Sequence, residues 1–303
     1  GDGWYKGRFS YLDEARVKEI YGDDFLLTAQ LLITFGDGTR QMITTDETWK
    51  CISSPVLFSN IYDGEVYDAG REIWDRDACR LAEGVEEASV PAVRAAAPEG
   101  KLTERMSVPV RIHERFSPVS LLITPAGEQV LDFGQEITGW VEFDCRIPEG
   151  KGIRLTASEI MQDQEFYHEN LRTAKTEFLY LSDGKEAHVR PHFTFYGFRY
   201  MKAEVVQEVR NGEDVTLRCE ETLSDEEWKM QFQAVHLRSD FDQIGWIETG
   251  DQKVNQLFSN ALWGQKGNFL DVPTDCPQRD ERLGWTGDAQ VFSETACFNM
   301  YMP

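Results

Sequence analysis

The periodicity of the sequence changes once, near residue 245, and this change constrains the fold more than any other feature. Before it, short apolar runs with the alternation of β-strands are separated by glycine-rich turns. The segment "LLTAQLLITFGDGTRQMITT" contains two such runs joined at Gly36-Asp37-Gly38, which predicts a hairpin. The segment "VSLLITPAGEQVLDFGQEITGWVEFDC" predicts three strands, with turns at 125–127 and near 134–139. Strands at such short spacing are typical of β-sandwiches.

After residue 245 the apolar residues follow a helical period. Asp251 is a candidate N-cap, and Gly267 is a candidate helix end. The apolar face between them consists of Val254, Leu257, Phe258, Ala261 and Leu262. A second helix is predicted from about Gly287 to Met300. Residues 70–110 are rich in Ala, Glu and Pro, which predicts a connector and a domain boundary near 110.

The charge of the chain excludes one class of partner. Lys and Arg number 31 against 53 Asp and Glu, a formal net charge of −22, which repels a phosphate backbone. We therefore expect no nucleic acid partner. We also expect no membrane partner, because no apolar run approaches the roughly 20 residues that span a bilayer. Residues 1–20 lack the basic start and apolar stretch of a signal peptide.

The cysteines and histidines show no strong metal-binding pattern. The six cysteines lack CxxC spacing, which predicts free, mostly buried thiols and favours a reducing, cytoplasmic compartment. His188 and His192 could share one face of a strand, but no third ligand lies nearby in sequence. The acidic positions of "NIYDGEVYDA" could bind Ca²⁺, although an ordinary acidic loop is the favoured interpretation; they are Asp63, Glu65 and Asp68. We therefore expect no metal and no cofactor.

The stretch "TDCPQRDERLGWTGDAQ", residues 274–290, concentrates carboxylates on a loop between the two predicted helices. Glycoside hydrolysis requires two carboxylic groups, one that protonates the leaving oxygen and one that activates water or attacks the sugar. Neighbouring carboxylates raise the proton affinity of an acid among them. Trp285 could stack on a sugar, and Arg279 could donate paired hydrogen bonds to hydroxyls. The alternative is a solvated acidic loop in which Asp288 stabilises a helix start.

Cys276 is a second candidate in this loop, as a nucleophile. It would need a base such as His, and the 67 residues after His236 contain none. Acidic neighbours also raise the pKa of a thiol rather than lower it. A structural cysteine is therefore the favoured interpretation.

The run "NFLDVPTDCPQRDERLGWTGDAQVF" resembles the signature of bacterial α-L-rhamnosidases, glycoside hydrolase family 78. "GDGWYKGR" and "DETWKCISSPVLFSNIYDGEVYDA" are similar to the N-terminal β domain of that family, and "VLDFGQEITGWVEF", "ENLRTAKTEFLYL" and "HFTFYGFRYMKAE" to its concanavalin-like domain. The resemblance implies a mainly β chain with two β-sandwich domains, at 1–110 and 111–245, the second concanavalin-like. Residues 246–303 would be the first helices of a truncated (α/α)6 barrel.

The resemblance also implies roles for single residues. Glu281 matches the general acid of an inverting α-L-rhamnosidase that releases terminal, non-reducing α-L-rhamnose from glycosides and oligosaccharides. The positions that match the sugar subsite are Asp275, Arg279, Trp285 and Asp288. Asp280 receives no role, and a surface or turn position is favoured for it.

The chain departs from the family pattern at both ends. The family's base is a Glu in a later part of the barrel, and strands normally precede "GDGWYKGR", so we expect an internal fragment whose catalytic base is missing. The lack of a signal peptide then says nothing about export. Helix faces near 254–262 and 291–298 would lack their partners, so we expect either association there, with a homo-oligomer as one form of it, or disorder.

Two alternatives remain open on sequence alone. The chain could be a non-catalytic carbohydrate-binding or scaffolding pair of β-sandwiches, with a sugar platform drawn from Trp49, Trp74, Trp140 and Trp228. It could also be a relative with the same fold that acts on another sugar or catalyses a lyase reaction, since fold does not fix function.

Overall fold

The computed structural model describes residues 3–8, 22–75, 80–96, 100–101, 103–211, 214–224 and 231–302. The strands in chain order are β1 (Gln30–Thr34), β2 (Arg40–Thr44), β3 (Lys50–Cys51), β4 (Val56–Asn60), β5 (Gly64–Asp68), β6 (Trp74–Asp75), β7 (Arg80–Leu81), β8 (Val90–Pro91), β9 (Val110–Phe116), β10 (Ser120–Ile123), β11 (Gln129–Cys145), β12 (Lys151–Ser158), β13 (Ile160–Gln162), β14 (Glu165–Tyr167), β15 (Glu177–Leu181), β16 (Ala187–Val189), β17 (Tyr196–Asn211), β18 (Asp214–Glu221), β19 (Gln233–Ser239), β20 (Phe269–Leu270) and β21 (Val272–Pro273). The helices are α1 (Gly3–Lys6), α2 (Gln252–Asn268), α3 (Thr286–Asn299) and two 3₁₀ turns, Ala69–Arg71 and Glu169–Leu171.

An 11-stranded sheet organises the part of the chain that the structure describes. Its main path runs β4-β5-β15-β12-β17-β11-β19-β9, with β10 and β16 paired to β11 and β18 paired to β17. The long strands β11 and β17 change partners along their length, so the sheet curls around a core. Phe133, Phe143, Phe178 and Phe198 lie in this core and are almost fully buried. The predicted fold class, mainly β with helices at the C-terminal end, is confirmed.

Two of the predicted turns are confirmed as hairpins. β1 and β2 pair antiparallel, with Thr34 opposite Arg40, and the turn between them has Gly38 at a φ of 83°. This left-handed conformation is one that glycine adopts without steric cost. β10 and β11 also pair antiparallel, and the N–H of Gly127 donates to the carbonyl of Thr124 at 2.8 Å.

The predicted turn near 134–139 is wrong. β11 continues through this segment as one strand of 17 residues, with a register shift against β17 between Asp132 and Ile137. Gly134 has a φ of 74°, and its N–H donates to the Asp132 carboxylate at 2.7 Å. A glycine in this conformation serves a β-bulge as well as a turn. Gly134 therefore lies in a bulge within the strand, whereas Gly139 pairs regularly with Tyr196 and His236.

Strands before and after residue 110 share this sheet. β5 pairs parallel with β15, in the register Gly64 to Glu177 and Asp68 to Leu181. The two backbones approach closely at Gly64, where a Cβ would lie 1.7 Å from the Glu177 carbonyl oxygen. The sheet thus connects residues 56–68 to the central strands. The domain boundary near 110 stays a prediction.

The two long helices lie where the helical period predicts them. The Asp251 carboxylate accepts the N–H of Lys253 at 2.8 Å, so the predicted N-cap is confirmed. α2 ends at Asn268, one residue beyond Gly267, and α3 differs from its predicted bounds by one residue at each end. Within the described ranges, no helix is long and apolar enough to cross a membrane.

Helix α2 is fixed on the sheet by an aromatic and an ionic contact. The Trp263 ring lies 5.8 Å from the Phe116 ring, edge to face. One turn further on, Lys266 Nζ lies 2.9 Å from Glu114 Oε1. Thr138 donates to the Gly267 carbonyl at 2.5 Å. These contacts fix the end of α2, which leads through β20 and β21 to the loop at 274–285.

The predicted apolar faces of the helices are covered only in part. Leu262 and Ala296 are buried. The large apolar side chains of α2 and α3 that are exposed are Val254, Leu257, Val291 and Phe298. Self-association through these faces stays a prediction.

The glycine at the start of β17 has little room for a side chain. A Cβ on Gly197 would lie 2.8 Å from Gln278 Cβ and 2.9 Å from Pro277 Cγ. We expect Gly197→Ala to displace the loop at 274–285, which contains Pro277 and Gln278, and to lower the free energy of unfolding by about 1–3 kcal/mol. Urea unfolding of the protein measures the change. Gly36→Ala is the control, because a Cβ there would meet nothing within 4 Å, and equal losses in both variants would contradict the close packing.

Candidate active site

Residues 274–285, here called the acid loop, connect β21 to α3. Backbone bonds close its two ends. The N–H of Thr274 donates to the Asn268 carbonyl at 2.9 Å, and the N–H of Asp275 donates to the Leu283 carbonyl at 3.1 Å. The Asp275 carboxylate accepts the N–H of Leu283 in return, also at 3.1 Å. Asp275 thus sits at the neck of the loop, and the residues between it and Leu283 form a compact turn.

The centre of the acid loop is occupied by a buried arginine. Arg282 is 7% exposed and has a φ of 52°. Its guanidinium and Nε donate to four backbone carbonyls, of Ile61 (2.5 Å), Phe195 (2.9 Å), Gln278 (3.0 Å) and Arg279 (3.1 Å). Burial lowers the pKa of Arg282 to about 10, which leaves the side chain charged at neutral pH. Arg282 therefore ties the acid loop to β17 and to the turn between β4 and β5.

Glu281 points one carboxylate oxygen at two arginines. Its Oε2 lies 3.0 Å from Nη2 of Arg279 and 3.1 Å from Nη2 of Arg172. The residue is 8% exposed, and its backbone carbonyl accepts the Tyr62 hydroxyl at 3.3 Å. Two ion pairs to one oxygen restrict the orientation of the carboxylate.

Three of the predicted site residues come together in the structure. Arg279 Nη2 lies 3.5 Å from Asp275 Oδ2 as well as 3.0 Å from Glu281, so one guanidinium bridges the two carboxylates. Trp285 and Asp288 lie at the exposed start of α3, and no hydrogen bond or ion pair joins either to Glu281 within the described residues. Asp288 is in the first helical turn, where a negative charge favours the helix dipole.

Asp280 lies in the turn of the acid loop as predicted, but the prediction of a surface position is wrong. Asp280 is 1% exposed, and its carboxylate accepts both the hydroxyl and the N–H of Thr173. Arg172 Nη1 lies 3.7 Å away, and Arg8 Nη2 lies 4.0 Å away. The buried carboxylate requires these partners. Asp280 thus attaches the acid loop to the turn that follows the second 3₁₀ helix.

Cys276 is buried beside this cluster. Burial raises the pKa of its thiol to about 11, so the thiol is protonated at neutral pH and is a weak nucleophile. Cys145 is also buried, whereas Cys51 and Cys297 are exposed. The side chains of Cys79 and Cys219 lie outside the described residues.

Potential metal ligands meet at one place in the described part of the chain. Ligand atoms of Asp275, Cys276 and Glu281 lie within 4.8 Å of one another. The guanidinium of Arg279 lies between the two carboxylates and already provides positive charge there. These residues therefore do not fit a divalent cation well.

The other candidate metal ligands have separate partners. His188 Nδ1 lies 2.9 Å from Asp144, and His192 Nδ1 lies 2.9 Å from Glu65, so the two histidines do not share a ligand. Asp68 pairs with Arg71 at 3.0 Å, whereas Asp63 lies 3.9 Å from Arg8. The carboxylates of the candidate Ca²⁺ loop thus face different groups.

Two further buried carboxyls, of which Glu159 lies near Arg279 and Glu136 near Glu159, were not predicted from the sequence. Glu159 accepts the Asn170 amide at 2.8 Å and a hydrogen bond from Gln278. Burial raises the pKa of Glu159, and it raises that of Glu136 well above the usual range. The charge of Glu159 also disfavours ionisation of Glu136. No sequence spacing links them to the acid loop, so no pattern could have found them.

The tryptophans of the alternative sugar platform differ in exposure. Trp49 and Trp74 are 40% and 47% exposed. Trp140 is partly buried against the core, with the Arg190 guanidinium 5.6 Å from its ring. Trp228 lies outside the described residues. Sugar binding by these rings stays a prediction.

The buried contacts of Arg282 make a prediction about stability. We expect Arg282→Ala to lower the free energy of unfolding by about 3 kcal/mol or more, because buried carbonyls lose their donor. Arg146→Ala is the matched control, since Arg146 is exposed and pairs with Glu186 at 2.7 Å on the surface. That change should cost less than about 1 kcal/mol. Urea unfolding measures the free energy of unfolding of both variants, and equal losses would show that the contacts of Arg282 do not stabilise the acid loop.

Three family models match successive parts of the chain. The α-L-rhamnosidase N-terminal domain matches residues 1–114. The bacterial α-L-rhamnosidase concanavalin-like domain matches residues 123–210. The bacterial α-L-rhamnosidase 6 hairpin glycosidase domain matches residues 242–303.

Individual relatives agree with these matches. An α-L-rhamnosidase of Alteromonas sp. (strain LOR) is 35% identical over 298 residues, which are 96% of this chain and 30% of the relative. The structure of native α-L-rhamnosidase from Aspergillus terreus has a TM-score of 0.84 at 32% identity, covering 99% of this chain and 33% of that one. The structure of Streptomyces avermitilis α-L-rhamnosidase complexed with L-rhamnose has a TM-score of 0.82 at 31% identity, covering 98% and 27%.

The chain thus spans about 30% of the length of the relatives that it matches. Along that span the β-strand part of the chain precedes the two long helices, in the order of the three matched models. This chain belongs to the bacterial α-L-rhamnosidase family.

Proposed function

We propose that the chain supplies the acid side of the active site of an α-L-rhamnosidase that removes terminal, non-reducing α-L-rhamnose with inversion. The observation that carries this proposal is the position of Glu281, nearly buried and held by two guanidiniums in a loop that also contains Asp275. The relatives are glycoside hydrolases, and one of them was solved with L-rhamnose bound.

In the proposed reaction Glu281 is the general acid. Its carboxyl proton moves to the glycosidic oxygen as the bond from that oxygen to C1 of rhamnose breaks. A water molecule attacks C1 from the opposite face and gives its proton to a second carboxylate, about 6.5–9.5 Å from the acid. We expect that base outside the 303 residues, in a longer protein comparable in length to the relatives.

The sugar is held by four side chains in this proposal. Asp275 and Arg279 are already joined to each other and to the acid, and would accept and donate hydrogen bonds to rhamnose hydroxyls. Trp285 is 42% exposed, which suits a ring that stacks on an apolar sugar face. Asp288, on the first turn of α3, is the second carboxylate of this clamp. No cofactor takes part.

The proposed domain organisation follows the same division. An N-terminal β domain at 1–110 and a concanavalin-like domain at 111–245 precede the start of the barrel at 246–303. The matches at 1–114, 123–210 and 242–303 support these three parts. The partner in this proposal is a rhamnose-containing glycoside or oligosaccharide.

Substitution of the proposed acid provides the test. In the longer protein, we expect Glu281→Gln to lower kcat on p-nitrophenyl α-L-rhamnoside by about 10²–10⁴-fold, because the amide cannot donate the required proton. Glu294→Gln on the exposed face of α3 is the matched control and should retain the wild-type rate. A near-normal kcat in Glu281→Gln would assign the acid to another residue.

The stereochemistry is tested separately. Proton NMR during turnover should show β-L-rhamnose as the first product, since inversion converts the α linkage to the β sugar. A first product in the α form would overturn inversion and leave the rhamnosidase assignment standing. A wild-type protein that is inactive on rhamnosides and active on another glycoside would overturn the choice of sugar.

A further inference from the structure

The turn after the second 3₁₀ helix reaches the acid loop from the β-strand part of the chain. Arg172 has a φ of 59°, a left-handed conformation that is uncommon for a residue with a side chain. Leu171 beside it is fully buried, and the N–H of Arg172 donates to the Glu169 carbonyl at 3.2 Å. The buried leucine and this backbone bond fix the direction in which the Arg172 side chain leaves the turn.

The Arg172 guanidinium pairs with two consecutive acidic residues. Nη1 lies 3.7 Å from Asp280 Oδ1, and Nη2 lies 3.1 Å from Glu281 Oε2. Thr173 bonds the same Asp280 carboxylate through its hydroxyl and its N–H. The turn therefore contacts both carboxylates, and the buried one serves to orient the arginine toward the other.

The two arginines at Glu281 pair with the same carboxylate oxygen. The closest approach of both Arg172 and Arg279 to Glu281 is to Oε2, at 3.1 and 3.0 Å. A carboxylic proton is excluded from an oxygen that already faces guanidinium donors, because Arg has donors and no acceptor. The proton of a neutral Glu281 therefore resides on Oε1.

Arg279 has a further contact within the proposed sugar site. It also contacts Asp275 at 3.5 Å, and the proposed function assigns it to rhamnose hydroxyls. A bound sugar thus competes for its donors. Arg172 also contacts Asp280, a residue that is 1% exposed and not available to a sugar.

We propose that Arg172 is a positioning residue that holds Oε2 of Glu281 when substrate is bound, so that Oε1 presents the proton to the leaving oxygen. This inference rests on the proposed function. It places one support of the acid on the β-strand part of the chain, outside the barrel segment that carries the acid loop.

The dependence of the rate on the leaving group tests this role. Acid assistance matters most for a poor leaving group, such as the sugar alcohol of a rhamnosyl-glucose disaccharide, and least for 2,4-dinitrophenolate. In the longer protein, we expect Arg172→Ala to lower kcat on the disaccharide by about 10²-fold and on 2,4-dinitrophenyl α-L-rhamnoside by less than about fivefold. KM should change little on either substrate, and Arg172→Lys should recover part of the disaccharide rate through a single charged contact.

Controls separate this role from a general loss of structure. Arg71→Ala removes another arginine of the β-strand part that pairs with a carboxylate, Asp68, and it should leave both rates unchanged. Thermal unfolding identifies any variant that does not fold, and Arg172→Gln, which retains most of the side-chain volume, then replaces Arg172→Ala in the comparison.

Four outcomes would contradict the proposals, in different ways. Equal losses on the two substrates, or a loss confined to KM, would overturn the role of Arg172 while the rhamnosidase activity of the wild type stands. Full activity of Arg172→Ala on the disaccharide would overturn it as well. A wild-type protein that hydrolyses neither substrate would overturn the proposed function itself and, with it, this inference.

Discussion

The buried guanidinium of Arg282 is the interaction on which the candidate site depends. It satisfies carbonyls from the turn after β4, from the start of β17 and from the acid loop itself. Few other side chains could do this, because the fork of Arg carries several donors and stays charged even where burial lowers its pKa. The loop has little apolar bulk of its own. Its shape therefore comes from hydrogen bonds to the sheet more than from packing within the loop.

Carboxylates and guanidiniums alternate around Glu281. Asp275 and Glu281 share Arg279, while Glu281 and Asp280 share Arg172. Each arginine thus lies between two carboxylates, and each contact restricts the next. A network of this kind gains order at the cost of desolvating its charges, and removing one member leaves another unpaired. This explains why ionisable groups can be so dense in a region that is largely shielded from water.

The sequence predicted the features that depend on local patterns. The helical period and Asp251 predicted α2, and Gly36-Asp37-Gly38 predicted the first hairpin. Gly134 misled because a turn and a bulge require the same left-handed glycine. The resemblance identified Asp275, Arg279 and Glu281, which the structure brings together. It did not identify Asp280 or Arg172, because their contacts cross between segments that are distant in sequence. Spacing carries no information about such contacts.

The change in periodicity near residue 245 suggests a junction at which the β-strand part and the helical part could be exchanged between relatives. Contacts that cross this junction would be lost or altered in such an exchange. Positions 61, 172–173 and 195 lie before the junction and contact the acid loop, which lies after it. A chimera joined at 245 would inherit each half of these contacts from a different parent. In recombination or in laboratory evolution, these positions are therefore expected to be inherited with the loop as one unit.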